Sequence, residues 1–97
     1  MHARVNSTQW NPDQVAEGLR LTEEMIIPSY RKEAGFRGYL LLTAPDGTRA
    51  MAITLWDTEA DMEASAHVAQ AMIPQLRGIL SAPPSTETYE VLFNVQA

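Results

Sequence analysis

The first half of this 97-residue chain recurs 46 positions later. Thr8, Trp10, Glu17, Ile27, Pro28 and Arg31 return as Thr54, Trp56, Glu63, Ile73, Pro74 and Arg77, while Asn11 and Asp13 become Asp57 and Glu59. Each copy reads as T-x-W, an acidic or amide helix start, and a helix that carries Ile-Pro and then Arg. A fixed internal period constrains a fold more than any single motif, because each copy must be one structural unit. Two copies are too few for a solenoid. They fit a duplicated strand–helix–strand unit, which implies a four-stranded sheet with two helices. The length sets one domain, 1–97, able to bury about two-thirds of its unfolded surface and so to hold one real core.

Composition removes several classes of function. The net charge is −5, and an acidic surface repels phosphate backbones, so no nucleic-acid partner is expected. No run of 18 or more apolar residues exists to span a membrane, and the first seven residues lack the apolar stretch of a signal peptide. The absence of cysteine removes thiolate catalysis and Cys-based metal sites and fits a cytoplasmic protein. The two histidines do not have metal-ligand spacing, and no metal or cofactor is expected.

Periodicity places the elements. Residues 3–10 alternate as a strand. Asn11-Pro12-Asp13 starts a helix in which Asn11 caps, Pro12 suits the first helical position and Asp13 complements the dipole. Val15, Leu19, Thr22 and Ile26 share a face, Gly18 beside them allows close approach to a sheet, and Pro28 kinks or restarts the helix. Tyr39–Leu42 and Ala50–Trp56 form a hairpin around the turn Ala44-Pro45-Asp46-Gly47. Thr58 with Asp61 resembles a capping box. Met62, Ala66, Ala69, Ile73, Leu76 and Leu80 define the apolar line of a second helix, interrupted at Pro74. Tyr89, Val91, Phe93 and Val95 alternate as a last strand. The order is βαββαβ: a ferredoxin-like α+β fold, with a four-stranded antiparallel sheet and two helices on one face.

The other face of that sheet should be polar if it met water. Leu40, Leu41 and Leu42 point to alternating sides and are all apolar, as are Met51, Ala52 and Ile53. Strands apolar on both faces need a second covering layer, and the chain has no third helix. A homodimer packed sheet to sheet is therefore expected.

On the helix side, the repeat puts Arg4, Asn6, Thr8 and Trp10 on the same side as Ala50, Ala52, Thr54 and Trp56. Small residues leave volume there, and the amide, hydroxyls and indole can orient a ligand. The same polar groups can equally satisfy one another. Trp56 ends a strand, where its N–H can face a pocket or bond a neighbour; Trp10, its equivalent, points to a structural plug. Trp56 and Asn6 are the catalytic candidates, and Thr8, Tyr39, Thr54 and His67 the ligand-binding ones. His67 lies about 140° from the apolar line of its helix, which also suits a solvated histidine.

Ala34-Gly35-Phe36-Arg37-Gly38-Tyr39, followed by apolar residues, resembles the PGF-x-G segment of antibiotic-biosynthesis-monooxygenase-like proteins. Ala52 to Asp61 is similar to their third strand, W-[ED]-[ST] corner and following helix, and the likeness extends to the final Tyr-Glu-Val. The resemblance implies a dimeric α+β barrel of ferredoxin-like subunits. Some members oxidise aromatic polyketide phenols to quinones with O₂ and no cofactor; others degrade haem. The quinone-forming members share the Trp of Trp56 but place Asn four residues before it and Tyr six after, where this chain has Ala52 and Met62. The haem-degrading members use a Trp and a His at positions held here by Ser65 and Gln75, which disfavours that activity. Two functions remain: a cofactor-independent monooxygenase acting on a small aromatic substrate, or a non-catalytic homodimeric small-ligand-binding or structural module.

Overall fold

A computed structural model describes residues 1–97. Four strands, β1 (His2–Gln9), β2 (Phe36–Thr43), β3 (Arg49–Trp56) and β4 (Ser85–Glu90), form one antiparallel sheet in the order β2-β3-β1-β4. Between β1 and β2 lie α1 (Val15–Leu21), a π-helical segment (Thr22–Ile26) and α2 (Ile27–Arg31). Between β3 and β4 lie α3 (Glu59–Ala64) and α4 (Ala66–Leu76). This is the ferredoxin-like α+β arrangement that the repeat implies.

The repeat is a pseudo-twofold. Thr8 faces Ala50 across the central strand pair and Arg4 faces Thr54. The 46-residue shift exchanges those two pairs and carries the Asn6–Ala52 pair onto itself. Each T-x-W then closes the same bond. The Trp10 Nε1–H donates to Thr8 Oγ1 at 2.9 Å, and the Trp56 Nε1–H to Thr54 Oγ1 at 2.8 Å. Side chains two apart on a strand share a face, so the spacing itself makes the bond. Both indoles are buried plugs between strand end and helix.

Local signals act largely as their chemistry dictates. Gly47, at φ 76°, closes the β2–β3 turn, and Asp46 Oδ1 accepts from the Thr48 amide and hydroxyl. Thr58 Oγ1 accepts from the Asp61 amide at 3.0 Å. Gly18 packs on Trp10, where a Cβ would come within 2.7 Å of the ring. Pro28 has no N–H for the Glu24 carbonyl and clashes with that turn. The π-helical segment immediately before it widens the helix there.

Other expectations are corrected. Asn11 makes no side-chain cap; its amide donates to the Gly78 carbonyl at 2.8 Å, tying the two halves together. β1 starts at His2, one residue before the strand expected over 3–10. The second helix breaks at Ser65, whereas Pro74 lies inside α4, two residues from its end. The break resets the helical phase, so Met62, Val68 and Met72 are buried and Ile73 is half exposed. Along the first helical stretch the buried positions are Gly18, Leu21, Thr22 and Tyr30, and Leu19 faces out. The last strand stops at Glu90 because its partner β1 runs out: Glu90 pairs with His2, and the Val91 amide reaches the Met1 carbonyl at 2.9 Å. Leu92, Phe93 and Val95 follow as exposed residues outside the sheet.

Candidate functional site

The helix-covered face receives Arg4, Asn6 and Thr8 from β1 and Ala50, Ala52, Thr54 and Trp56 from β3. The edge strand β2 adds Phe36 and Tyr39. Residues three apart normally face opposite sides, but a register irregularity between Phe36 and Gly38 turns both onto this face, beside Trp56 and Thr54. Tyr30, buried on α2, closes the group. It stacks on Phe36 at 6.2 Å between centroids and lies 6.1 Å from Tyr39 and 5.8 Å from Trp56. Phe36 meets Trp56 edge-on at 5.5 Å. Met62 and Val68 pack on the same cluster.

Arg4 lies at the floor of this layer with 7% of its surface exposed. Its Nη1–H donates to Ser65 Oγ at 3.0 Å and its Nη2–H to the Met62 carbonyl at 2.5 Å. Ser65 Oγ donates to the same carbonyl at 2.6 Å. These bonds sit where α3 gives way to α4, so the guanidinium caps the C-terminal end of α3. None of the chain's ion pairs includes Arg4. Two bonds from a charged donor are worth about 1.5–3 kcal/mol each, against several kcal/mol for burying an ion. The charge is tolerated, but no carboxylate cancels its field.

That field acts on the Tyr30 phenol. Burial pushes the Tyr30 pKa up, and the nearby Arg4 guanidinium works against the shift. Burial, with Tyr30 adding to it, pushes Tyr39 up to about 12. Both are therefore neutral hydrogen-bond donors at neutral pH.

The remaining candidates are dispersed. Asn6 is half-buried and accepts from Thr86 Oγ1 at 2.7 Å, which leaves its N–H₂ without a partner in the chain. It stands opposite Ala52, while Trp56 stands opposite His2, four residues along β1. That separates Asn6 and Trp56 by about 13 Å along the sheet, so they do not converge on one small group. Thr8 also donates to the Ala50 carbonyl at 3.3 Å. His67 is exposed and pairs with Glu33 on the surface, outside the aromatic cluster. No group of three His, Asp or Glu side chains converges in a metal-binding arrangement. An open depression of ≈ 560 Å³ lies at the hairpin end of the sheet and includes Thr8, Leu42, Met51 and Pro83. Neither it nor the two depressions of ≈ 410 and ≈ 320 Å³ includes Asn6, Thr54 or Trp56.

Arg4 and Tyr30 are the residues that sequence reasoning left out of the site. Arg4 was legible as a cation that the repeat sets against alanine, Ala50, on the inward side of a central strand. Tyr30 carried no such mark, since Leu76 holds its place in the second copy.

Residues 1–72 match the family described as antibiotic biosynthesis monooxygenase. The chain belongs to that family. No functionally curated protein matches it. Among solved structures, this family member superposes on a protein of unknown function from Nitrosomonas europaea with a TM-score of 0.83 and 20% identity, over 99% of this chain and 93% of that one. It also superposes on a mutant of SnoaB, a cofactor-independent oxygenase from Streptomyces nogalater. That TM-score is 0.80 at 14% identity, over 99% and 97% of the two chains. A monooxygenase from the gene ActVA-Orf6 of Streptomyces coelicolor, solved with nanaomycin D, gives 0.74 at 16% identity, over 99% and 91%. At these identities the likeness is one of fold.

Proposed function

We propose that this family member is a homodimeric, cofactor-independent monooxygenase acting on a small aromatic substrate. The observation that carries the reading is the cluster of Tyr30, Phe36, Tyr39 and Trp56, with the buried Arg4 guanidinium beside Tyr30. Aromatic walls suit a planar ring, and a fixed cation suits the negative charge an electron-rich phenol develops as it reacts with O₂. A phenol and O₂ give a quinone and water in balance, so the substrate supplies every electron and no reductant is required. Phe36 and Tyr39 are half-buried on an edge strand and are the side chains that must swing aside to admit a ring. Asn6, with free amide donors, holds the oxygen end of the ligand; Thr8 and Thr54 position the indoles. His67 takes a peripheral place at best, on its surface pairing with Glu33.

The homodimer rests on area. The chain exposes 6217 Å², against about 5,500 Å² for a monomer of this mass. The excess is near the ~800 Å² per partner of a standard interface. Leu40, Leu42, Met51 and Tyr89 supply exposed apolar area on the sheet face away from the helices.

One observation favours the second reading, a non-catalytic ligand-binding or structural module. Trp56 is fully buried, and its N–H is already taken by Thr54. Oxygen-electrode assays with dihydroxynaphthalenes and anthrones decide between them. The monooxygenase reading expects protein-dependent O₂ uptake and quinone absorbance, both reduced about 100-fold or more in Asn6→Ala, the size of effect that losing one oriented donor has on a reacting oxygen. Tight binding of these compounds without O₂ uptake leaves the module.

A further inference from the structure

We propose that Arg4 selects for negative charge, so that the helix-side site takes aromatic ligands bearing an anionic oxygen, phenolate or carboxylate, over their neutral counterparts. This rests on the aromatic-ligand part of the reading above and adds the property by which the ligand is chosen.

Three independent observations converge on it. The first is the missing counter-charge. The chain holds twelve acidic residues against seven basic ones, and three of its exposed arginines pair with them: Arg20 with Glu17 and Glu24, Arg37 with Asp57, and Arg49 with Asp46, while Arg31 and Arg77 lie in water. The buried Arg4, for which a charge without a carboxylate is most unfavourable, bonds the Met62 carbonyl and the Ser65 hydroxyl and lies against the Tyr30 phenol, all neutral groups.

The second is the broken symmetry. The pseudo-twofold carries the Arg4–Thr54 pair onto Ala50–Thr8. Both Thr-Trp pairs make the same bond, so that bond belongs to the scaffold. Capping the α3 end explains two of the Arg4 donors. The first copy has no helix break at the equivalent Leu19, so both the cap and the interior charge occur beside the Trp56 pair alone.

The third is what surrounds the charge. The neighbouring walls are aromatic rings and the Tyr30 phenol, whose titration feels Arg4. A low-dielectric surround strengthens the attraction for an anionic group that reaches it. Phenolates and carboxylates of planar rings combine that group with a body that fits the walls.

The test uses the intact protein and three probes: 4-nitrophenol, its neutral methyl ether 4-nitroanisole, and benzoate. Bound 4-nitrophenol should show its phenolate absorbance about one pH unit below the free compound, which corresponds to roughly tenfold tighter binding of the phenolate than of the neutral phenol. 4-Nitroanisole should bind at least about tenfold more weakly than 4-nitrophenolate. Benzoate should displace the phenolate where benzyl alcohol at the same concentration does not. In Arg4→Met the spectral shift and the charge preference should both vanish; Arg4→Lys, which keeps the charge, should retain part of the shift. The wild-type comparison of phenolate with ether needs no variant, and Arg4→Lys carries the assignment if Arg4→Met fails to fold. Equal binding of ether and phenolate overturns the proposal, as does an undiminished shift in folded Arg4→Met or a complete loss of it in folded Arg4→Lys. O₂ uptake with no charge preference would remove this inference and leave the monooxygenase. Charge-selective binding with no uptake would do the reverse.

Discussion

Trp56 donates its indole N–H to the Thr54 hydroxyl at 2.8 Å in a place that solvent does not reach. The Trp10–Thr8 bond is its counterpart at 2.9 Å, with Thr8 only half-buried. Replacing Thr54 by Val keeps the shape and strands a buried donor, which costs about 1–3 kcal/mol. Thr8→Val should cost less, because water can reach the abandoned group. Urea unfolding of the two variants measures the difference; equal losses would mean that burial does not separate the pairs.

Gly18 is held against Trp10 more tightly than any side chain allows. A Cβ there would meet the ring at 2.7 Å and the Ile79 side chain at 3.2 Å. Alanine would improve helix propensity by about 1 kcal/mol. The ring cannot easily give, since it is buried and held through its N–H by Thr8. Overpacking of this kind costs about 1–3 kcal/mol, so Gly18→Ala should lower stability and shift the tryptophan emission. A stabilised variant would show that Trp10 has room to move.

These two contacts also mark what could be read from the sequence. The 46-residue period contained the duplicated unit and the four-stranded sheet, and it put Asn6 and Ala52 on one side of that sheet; the structure pairs them directly across the central strands. The small residue at Gly18 and the turn at Gly47 announced their own geometry. Three features were hidden, each for a physical reason. The break at Ser65 depends on a guanidinium 61 residues away, which no helical periodicity contains. The register irregularity before Gly38 reverses which β2 side chains face inward, so Phe36 joins the cluster against the alternation rule. The last strand ends at Glu90, opposite His2, although its own apolar alternation continues to Val95.

The tyrosines give a pH test. Burial raises Tyr39 to about 12 and raises Tyr30, and the Glu87 carboxylate raises the exposed Tyr89. An absorbance titration of the folded protein should therefore find none of the three half-ionised at the ordinary value of 10. The sign for stability follows from proton counting. Between pH 10 and about 12 the folded state holds protons on Tyr30 and Tyr39 that the unfolded chain has released. These groups leave stability unchanged below about pH 10 and reduce it as pH rises through that window. Urea midpoints at about pH 8, 10 and 11.5 should stay level and then fall. A normal titration of Tyr39 would mean that the aromatic cluster is open to water.

The outer sheet face gives the assembly test. Leu40 and Leu42 are each about half exposed, at 49% and 48%, next to Met51 on the adjoining strand. Phe93, 87% exposed in the uncharged segment after β4, adds a further apolar surface. A monomer rarely presents such a patch to water without a partner for it. Light scattering should return twice the 10.8 kDa of one chain. Leu40→Glu with Leu42→Glu would place four unpaired carboxylates in a twofold interface, each costing several kcal/mol if buried. These side chains point away from the helix-side core, so the double variant should be a folded monomer with unchanged far-UV circular dichroism. Truncation after Glu90 separates the contribution of the tail. If the tail crosses to the partner, the truncated chain dissociates at higher concentration than the full one. If it folds back on its own subunit, the dimer midpoint does not move. A wild-type mass of one chain at micromolar concentration would exclude the sheet-to-sheet dimer outright.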